Sequence, residues 1–146
     1  MTESGIEGVL ARDGALVYKT RGRSMEPMLR QDRDLVLIRV PSARLRKYDV
    51  ALYRRGGNYV LHRVVAVERE AYRMRGDNTY SVETVPDSAV IGVLHSFQRK
   101  GRQIRVDSLG YRCYARLWQR IYPLRAVYVR LRRLAARAGR RTGGAQ

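Results

Sequence analysis

Three short segments carry side chains able to perform acyl transfer if the fold brings them together. They are Gly22-Arg23-Ser24-Met25-Glu26-Pro27, Leu61-His62-Arg63-Val64-Val65 and Gly76-Asp77-Asn78. A hydroxyl is a weak nucleophile; it needs a base within hydrogen-bond reach and donors for the developing oxyanion. Ser24 would attack, His62 would take its proton, and Asp77 would accept the second imidazole N–H and hold the tautomer. Gly22 would let backbone N–H groups approach a substrate carbonyl. Met25 and Pro27 would complete the oxyanion and substrate-binding turn, with Pro27 fixing the chain direction after the serine. Taken singly, each segment has an ordinary explanation. A serine before a helical turn caps it, an inward histidine is a satisfied core residue, and Gly-Asp-Asn is a turn. Only their combination suggests a Ser-His-Asp site. His95 and Cys113 read as bystanders, the first a core or edge residue and the second a thiol with no partner base.

The elements that must position these residues are mostly strands. Ala15–Lys19, Leu35–Val40, Asp49–Tyr53, Tyr59–Val67, Ala71–Arg75, Val90–Phe97 and Gln103–Asp107 are short, rich in β-branched and aromatic residues, and separated by turn signals. Arg54-Arg55-Gly56-Gly57-Asn58 and Lys100-Gly101 predict two hairpins. His62 alternates with Val60, Val64 and Ala66, which points it into an apolar layer; burial of that kind keeps an imidazole neutral. Residues 1–13 read as a short leader or frayed start, and Met25–Leu29 as one helical turn. The chain should form a mainly β, small antiparallel sheet or barrel over residues 1–108.

From residue 109 the character changes. Tyr114, Leu117, Trp118, Ile121 and Tyr122 recur at helical spacing, Pro123 interrupts, and Val127, Tyr128, Leu131 and Leu134 follow, with Gly139 as the expected stop and Thr142–Gln146 as a loose end. The spacing predicts an amphipathic helical tail over 109–146. Packing on the β domain is expected for Leu117, Trp118 and Ile121, and a membrane or partner contact after Pro123.

Charge and length bound the rest. The 146 residues carry a formal +17, and the last 38 hold ten arginines and no acidic residue. That tail favours an anionic partner, with peripheral contact to an anionic membrane the first expectation over 109–141. Nucleic acid is disfavoured, because no aromatic platform or groove-reading motif accompanies the charge. A single cysteine excludes an intrachain disulfide and a cysteine-based zinc site, and neither a metal nor another cofactor is expected. No apolar run reaches the roughly 18 residues of a membrane span, and the polar Met1–Gly8 is not a secretory leader. The expected location is the cytoplasm, with peripheral contact at the inner membrane face.

The segments also occur in a telling order. Ser24-Met25-Glu26-Pro27-Met28-Leu29 with Asp32-Arg33-Asp34-Leu35-Val36-Leu37 resembles the nucleophile box of the signal peptidase I and LexA-like serine peptidase superfamily. Lys47-Tyr48-Asp49-Val50-Ala51-Leu52-Tyr53 resembles the strand that follows, Leu61-His62-Arg63-Val64-Val65 the box of the general base, and Arg75-Gly76-Asp77-Asn78 the Gly-Asp-Asn box. The resemblance covers about residues 15–97. Most members have lysine as base; His62 resembles the Ser-His branch, in which the residue matching Asp77 is implicated in catalysis. Gly22 stands where many signal peptidases have a serine that helps form the oxyanion hole, and Arg33-Asp34 replaces the more usual Gly-Asp. The resemblance implies a coiled, barrel-like β fold with an exposed cleft. It also implies an endopeptidase that cleaves a precursor or leader peptide, with small side chains before the cut, through an acyl-enzyme. A catalytically inactive, peptide-binding or regulatory member of the same fold is the alternative. A repressor of the LexA type is disfavoured, since no helix-turn-helix precedes the first strand.

Overall fold

The computed structural model describes residues 3–142. Along the chain run α1 (Glu3–Asp13), β1 (Ala15–Lys19), β2 (Leu35–Arg39), β3 (Val50–Arg55), β4 (Asn58–Val67), β5 (Ala71–Arg75), β6 (Glu83–Pro86), β7 (Val90–Arg99), β8 (Arg102–Arg105), α2 (Leu109–Arg120) and α3 (Tyr122–Thr142). The strands form one eight-stranded antiparallel sheet in the order β1-β2-β7-β3-β4-β5-β6, with β8 paired to β7. The fold is therefore mainly β, as the strand pattern predicts.

The sheet buries both faces at its centre. Val50 and Leu52 of β3 enter one core with Leu16, Met25, Met28, Leu29, Val36, Ile38, Leu94 and Phe97. Ala51 and Tyr53, pointing the other way, join Leu45, Val64, Tyr72, Met74 and Val85 in a second. A strand covered on both sides reads as a continuous apolar run, which is what Val50–Tyr53 is. Register shifts at Leu37/Ile38, Leu52/Tyr53 and Val64/Ala66 insert extra residues into the ladders. Each such bulge bends its strand and raises the local twist, so that β7 pairs in turn with β2, β3 and β8.

Three expectations need correction. Residues 3–13 are not a frayed leader but a helix whose Leu10 is buried in the first core, with Ile6 and Val9 packed beside it. Their spacing i, i+3, i+4 is the helical signal. Gly14, with φ +69°, ends the helix by returning its N–H to the Leu10 carbonyl at 2.9 Å. In the tail, α2 belongs to the body: Tyr111 and Ala115 are buried in the first core. Trp118 packs as expected, but Leu117 points to solvent, 61% exposed. The helix breaks at Ile121, and Pro123 lies in the first turn of α3, where its missing N–H would have no helical partner in any case. Gly139 does not stop α3, which continues to Thr142. Of the loose end expected at 142–146, Thr142 is helical and 143–146 fall outside the described residues. Among the described residues no helix is long and apolar enough to cross a membrane.

Candidate active site

Ser24 follows β1 on an irregular segment that the chain fastens at several points. Gly22 takes φ +79°, which explains a glycine there. Its Cβ position is open, so backbone conformation, not close approach, is what requires it. The Glu26 N–H closes a turn onto the Arg23 carbonyl at 3.2 Å, and the Leu29 N–H reaches the Met25 carbonyl at 3.0 Å, which is the helical turn expected over Met25–Leu29. Met25 does not face a substrate: its side chain is buried in the first core and anchors the turn. Pro27, after a cis Glu26–Pro27 bond, is half-buried beside it. The far end is pinned by Asp34, whose buried carboxylate accepts from the Arg30 N–H at 2.9 Å and from Arg33 at 2.6 and 2.8 Å. Burial opposes its ionisation, yet these bonds hold its pKa below the usual carboxylate value.

Gly76 is where Ser24 and His62 come near each other. A Cβ built on Gly76 would lie 3.0 Å from Ser24 Cβ and 3.1 Å from His62 Nε2, and only 2.5 Å from the Ser24 carbonyl oxygen. Ser24 Cβ and the Nε2 edge of the imidazole thus flank one position, which must be glycine, and no hydrogen bond joins the two side chains among the described residues. Two further bonds tie the loops: the Asn78 N–H donates to the Ser24 carbonyl at 2.7 Å, and Asn78 Nδ2 donates to the Arg23 carbonyl at 3.1 Å. The N–H groups of Ser24 and Met25 have no acceptor among the described residues, which leaves them able to serve an incoming carbonyl oxygen.

His62 is oriented by a group that the sequence reading missed. In β3–β4 pairing Ala51 lies opposite His62 and Tyr53 opposite Val60, so Tyr53 and His62 share a face. The Tyr53 hydroxyl is 3.0 Å from His62 Nδ1 and donates to Glu83 Oε2 at 3.0 Å; Glu83 is held in turn by Arg55. A carboxylate only accepts, so the tyrosine proton goes to Glu83 and the tyrosine oxygen accepts from Nδ1–H. That assigns the tautomer with a lone pair on Nε2, the edge facing Ser24. Burial lowers the His62 pKa below its ordinary value, opposed first by the Glu83 charge and more weakly by Asp77.

Asp77 does not accept from His62 and is corrected on that point. Its buried carboxylate takes a bidentate pair from Arg63, at 2.8 and 2.7 Å, and the Tyr114 hydroxyl at 3.0 Å; both partners of the ion pair are 0% exposed. Its carbonyl accepts Trp118 Nε1–H at 2.9 Å and Arg125 Nη1–H at 3.1 Å. Arg63 itself also donates to the Tyr48 carbonyl and the Tyr111 hydroxyl. Arg63 neighbours His62 in β4 and so points to the opposite face, carrying Asp77 with it. Asp77 therefore fixes the Gly76–Asn78 loop between the sheet and α2. A sequence signal for the real partner existed: Tyr53 alternates inward in the strand that hairpins onto β4. Glu83 had none, because β6 is short and ends in Pro86.

No protein-family model matches the chain, and no curated protein matches it.

Proposed function

We propose that the chain is a serine endopeptidase of the signal peptidase type, acting on a precursor or leader peptide through an acyl-enzyme. Convergence of Ser24 and His62 Nε2 over Gly76, with Nδ1 already satisfied by Tyr53, carries this reading. Ser24 Oγ attacks the peptide carbonyl carbon while Nε2 takes its proton. The Ser24 N–H and its Met25 neighbour receive the oxyanion. The imidazolium then gives its proton to the leaving amine as the C–N bond breaks. Water, deprotonated by the same Nε2, attacks the ester and restores Ser24. Glu83, acting through the Tyr53 hydroxyl, supplies the negative charge that steadies the imidazolium, a part given to a direct aspartate in the Ser-His-Asp arrangement. The resemblance supplies the substrate class, with small side chains before the cut and an extended pose.

The test is the intact mass of the protein after exposure to a broad serine-reactive acylating probe. One adduct is expected on the wild type and none on Ser24→Ala or His62→Ala. An adduct that persists in Ser24→Ala overturns the assignment. Absence of labelling on folded wild type moves the reading to an inactive peptide-binding member.

A further inference from the structure

We propose that α3 docks on an anionic lipid surface, lying along it with its leucines immersed. At 100° per residue, Leu124, Val127, Tyr128, Leu131 and Leu134 fall in one stripe about 120° wide. These five are 56–73% exposed, so nothing among the described residues covers them. The opposite side of the helix carries the half-buried Arg125, Ala126 and Val129, of which Arg125 donates to the Asp77 carbonyl. The stripe consequently lies on the side of the helix away from that contact. Arg130 and Arg137 border one edge of it and Arg132 the other, the last 5.9 Å from the Tyr128 ring centre.

Charge selects the occupant. Residues 109–146 contain ten arginines and no acid. A second copy on the stripe would set arginines against arginines with no carboxylate between them. Nucleic acid would neutralise the arginines but leave the leucines in water. An anionic bilayer satisfies both, with apolar side chains in the acyl boundary and guanidinium groups among the phosphates. The helix lies on the surface and does not cross it, since no described helix is apolar enough to span. This inference stands apart from the peptidase reading, because it concerns none of the residues of that site.

Flotation of the full-length protein with vesicles tests it. Binding is expected to phosphatidylcholine vesicles containing phosphatidylglycerol and not to phosphatidylcholine alone. It should fall about tenfold in Leu124→Gln/Leu131→Gln and again at high salt. Leu131→Gln alone, a single exposed change, should give an intermediate loss, and thermal melting should match the wild type in both variants. Equal binding to neutral vesicles, or no vesicle binding, overturns the proposal. So does full-strength binding by the double variant, which would mean simple adsorption of a polycation. A concentration-dependent dimer in sedimentation, abolished by the same leucine changes and without vesicle binding, would assign the stripe to a second copy.

Discussion

At the residue scale the decisive arrangement is the row Glu83–Tyr53–His62, whose Nε2 lies with Ser24 Cβ beside Gly76. Its behaviour with pH follows from the direction of the His62 shift. Burial holds the folded-state value below the ordinary 6.5. The His62 ring therefore stays neutral as pH falls through the range where a free imidazole would protonate. The acid limb of Ser24 labelling should have its midpoint below about 6.5. The unfolded chain, by contrast, takes up that proton first, so this group's stability contribution is complete above 6.5 and is lost as pH falls below it. Glu83→Gln removes the charge that raises the His62 value, so the acid limb should move to still lower pH; an unmoved limb would deny Glu83 its part. Tyr53→Phe strips the acceptor from Nδ1–H and should slow labelling by about 100-fold, the low end of what a positioned base supplies. Asp77→Ala should act differently. It strands a buried guanidinium and should cost about 3–5 kcal/mol in chemical denaturation.

At the scale of elements, the Gly76–Asn78 loop is the joint on which the site depends. It receives β5, holds the Ser24 turn through Asn78, and is gripped from behind by α2. Gly76→Ala would force a Cβ onto the Ser24 carbonyl, a backbone atom with no rotamer to yield. Overpacking of that kind costs about 1–3 kcal/mol. Labelling of Ser24 should fall further than stability does, because the displaced atom belongs to Ser24 itself. Comparable losses in labelling and stability would show the loop to be ordinary structure. Most of this level is legible in the sequence. Short apolar or alternating runs between turn signals mark β1–β5, β7 and β8, and the segments around Ser24, His62 and Gly76-Asp77-Asn78 mark what the fold brings together. What escapes has a physical reason. Strand β6 is four residues long and depends on tertiary pairing with β5 for its existence. Asp77 misleads because aspartate beside a turn glycine suits a triad and a buried ion pair equally well. The side of the sheet it occupies is decided by Arg63, and strand alternation places Arg63 and His62 on opposite faces.

For the whole molecule, the arginine-rich end divides into a part that completes the fold and a part that leaves it. Helix α2 contributes Tyr111 and Ala115 to the first core, and its Tyr114 and Trp118 bond Asp77. Helix α3 touches the body only near its start among the described hydrogen bonds, where the Tyr122 hydroxyl donates to the Tyr80 carbonyl and Arg125 to that of Asp77, with its guanidinium 3.9 Å from the Trp118 ring centre. Truncation therefore discriminates. A chain ending at Ile121 loses those contacts and should be less stable by about 2 kcal/mol, yet remain folded and label at Ser24. Ending the chain at Ser108 also uncovers the core around Tyr111 and removes the Tyr111 and Tyr114 hydroxyls from Arg63 and Asp77. The loss should exceed about 3 kcal/mol, with labelling abolished as the Gly76 loop is freed. Urea denaturation with probe labelling on the three lengths separates the cases. If the Ser108 truncation kept wild-type stability and labelling, the boundary would lie before α2, and the contacts that join α2 to Asp77 would have no hold on the nucleophile.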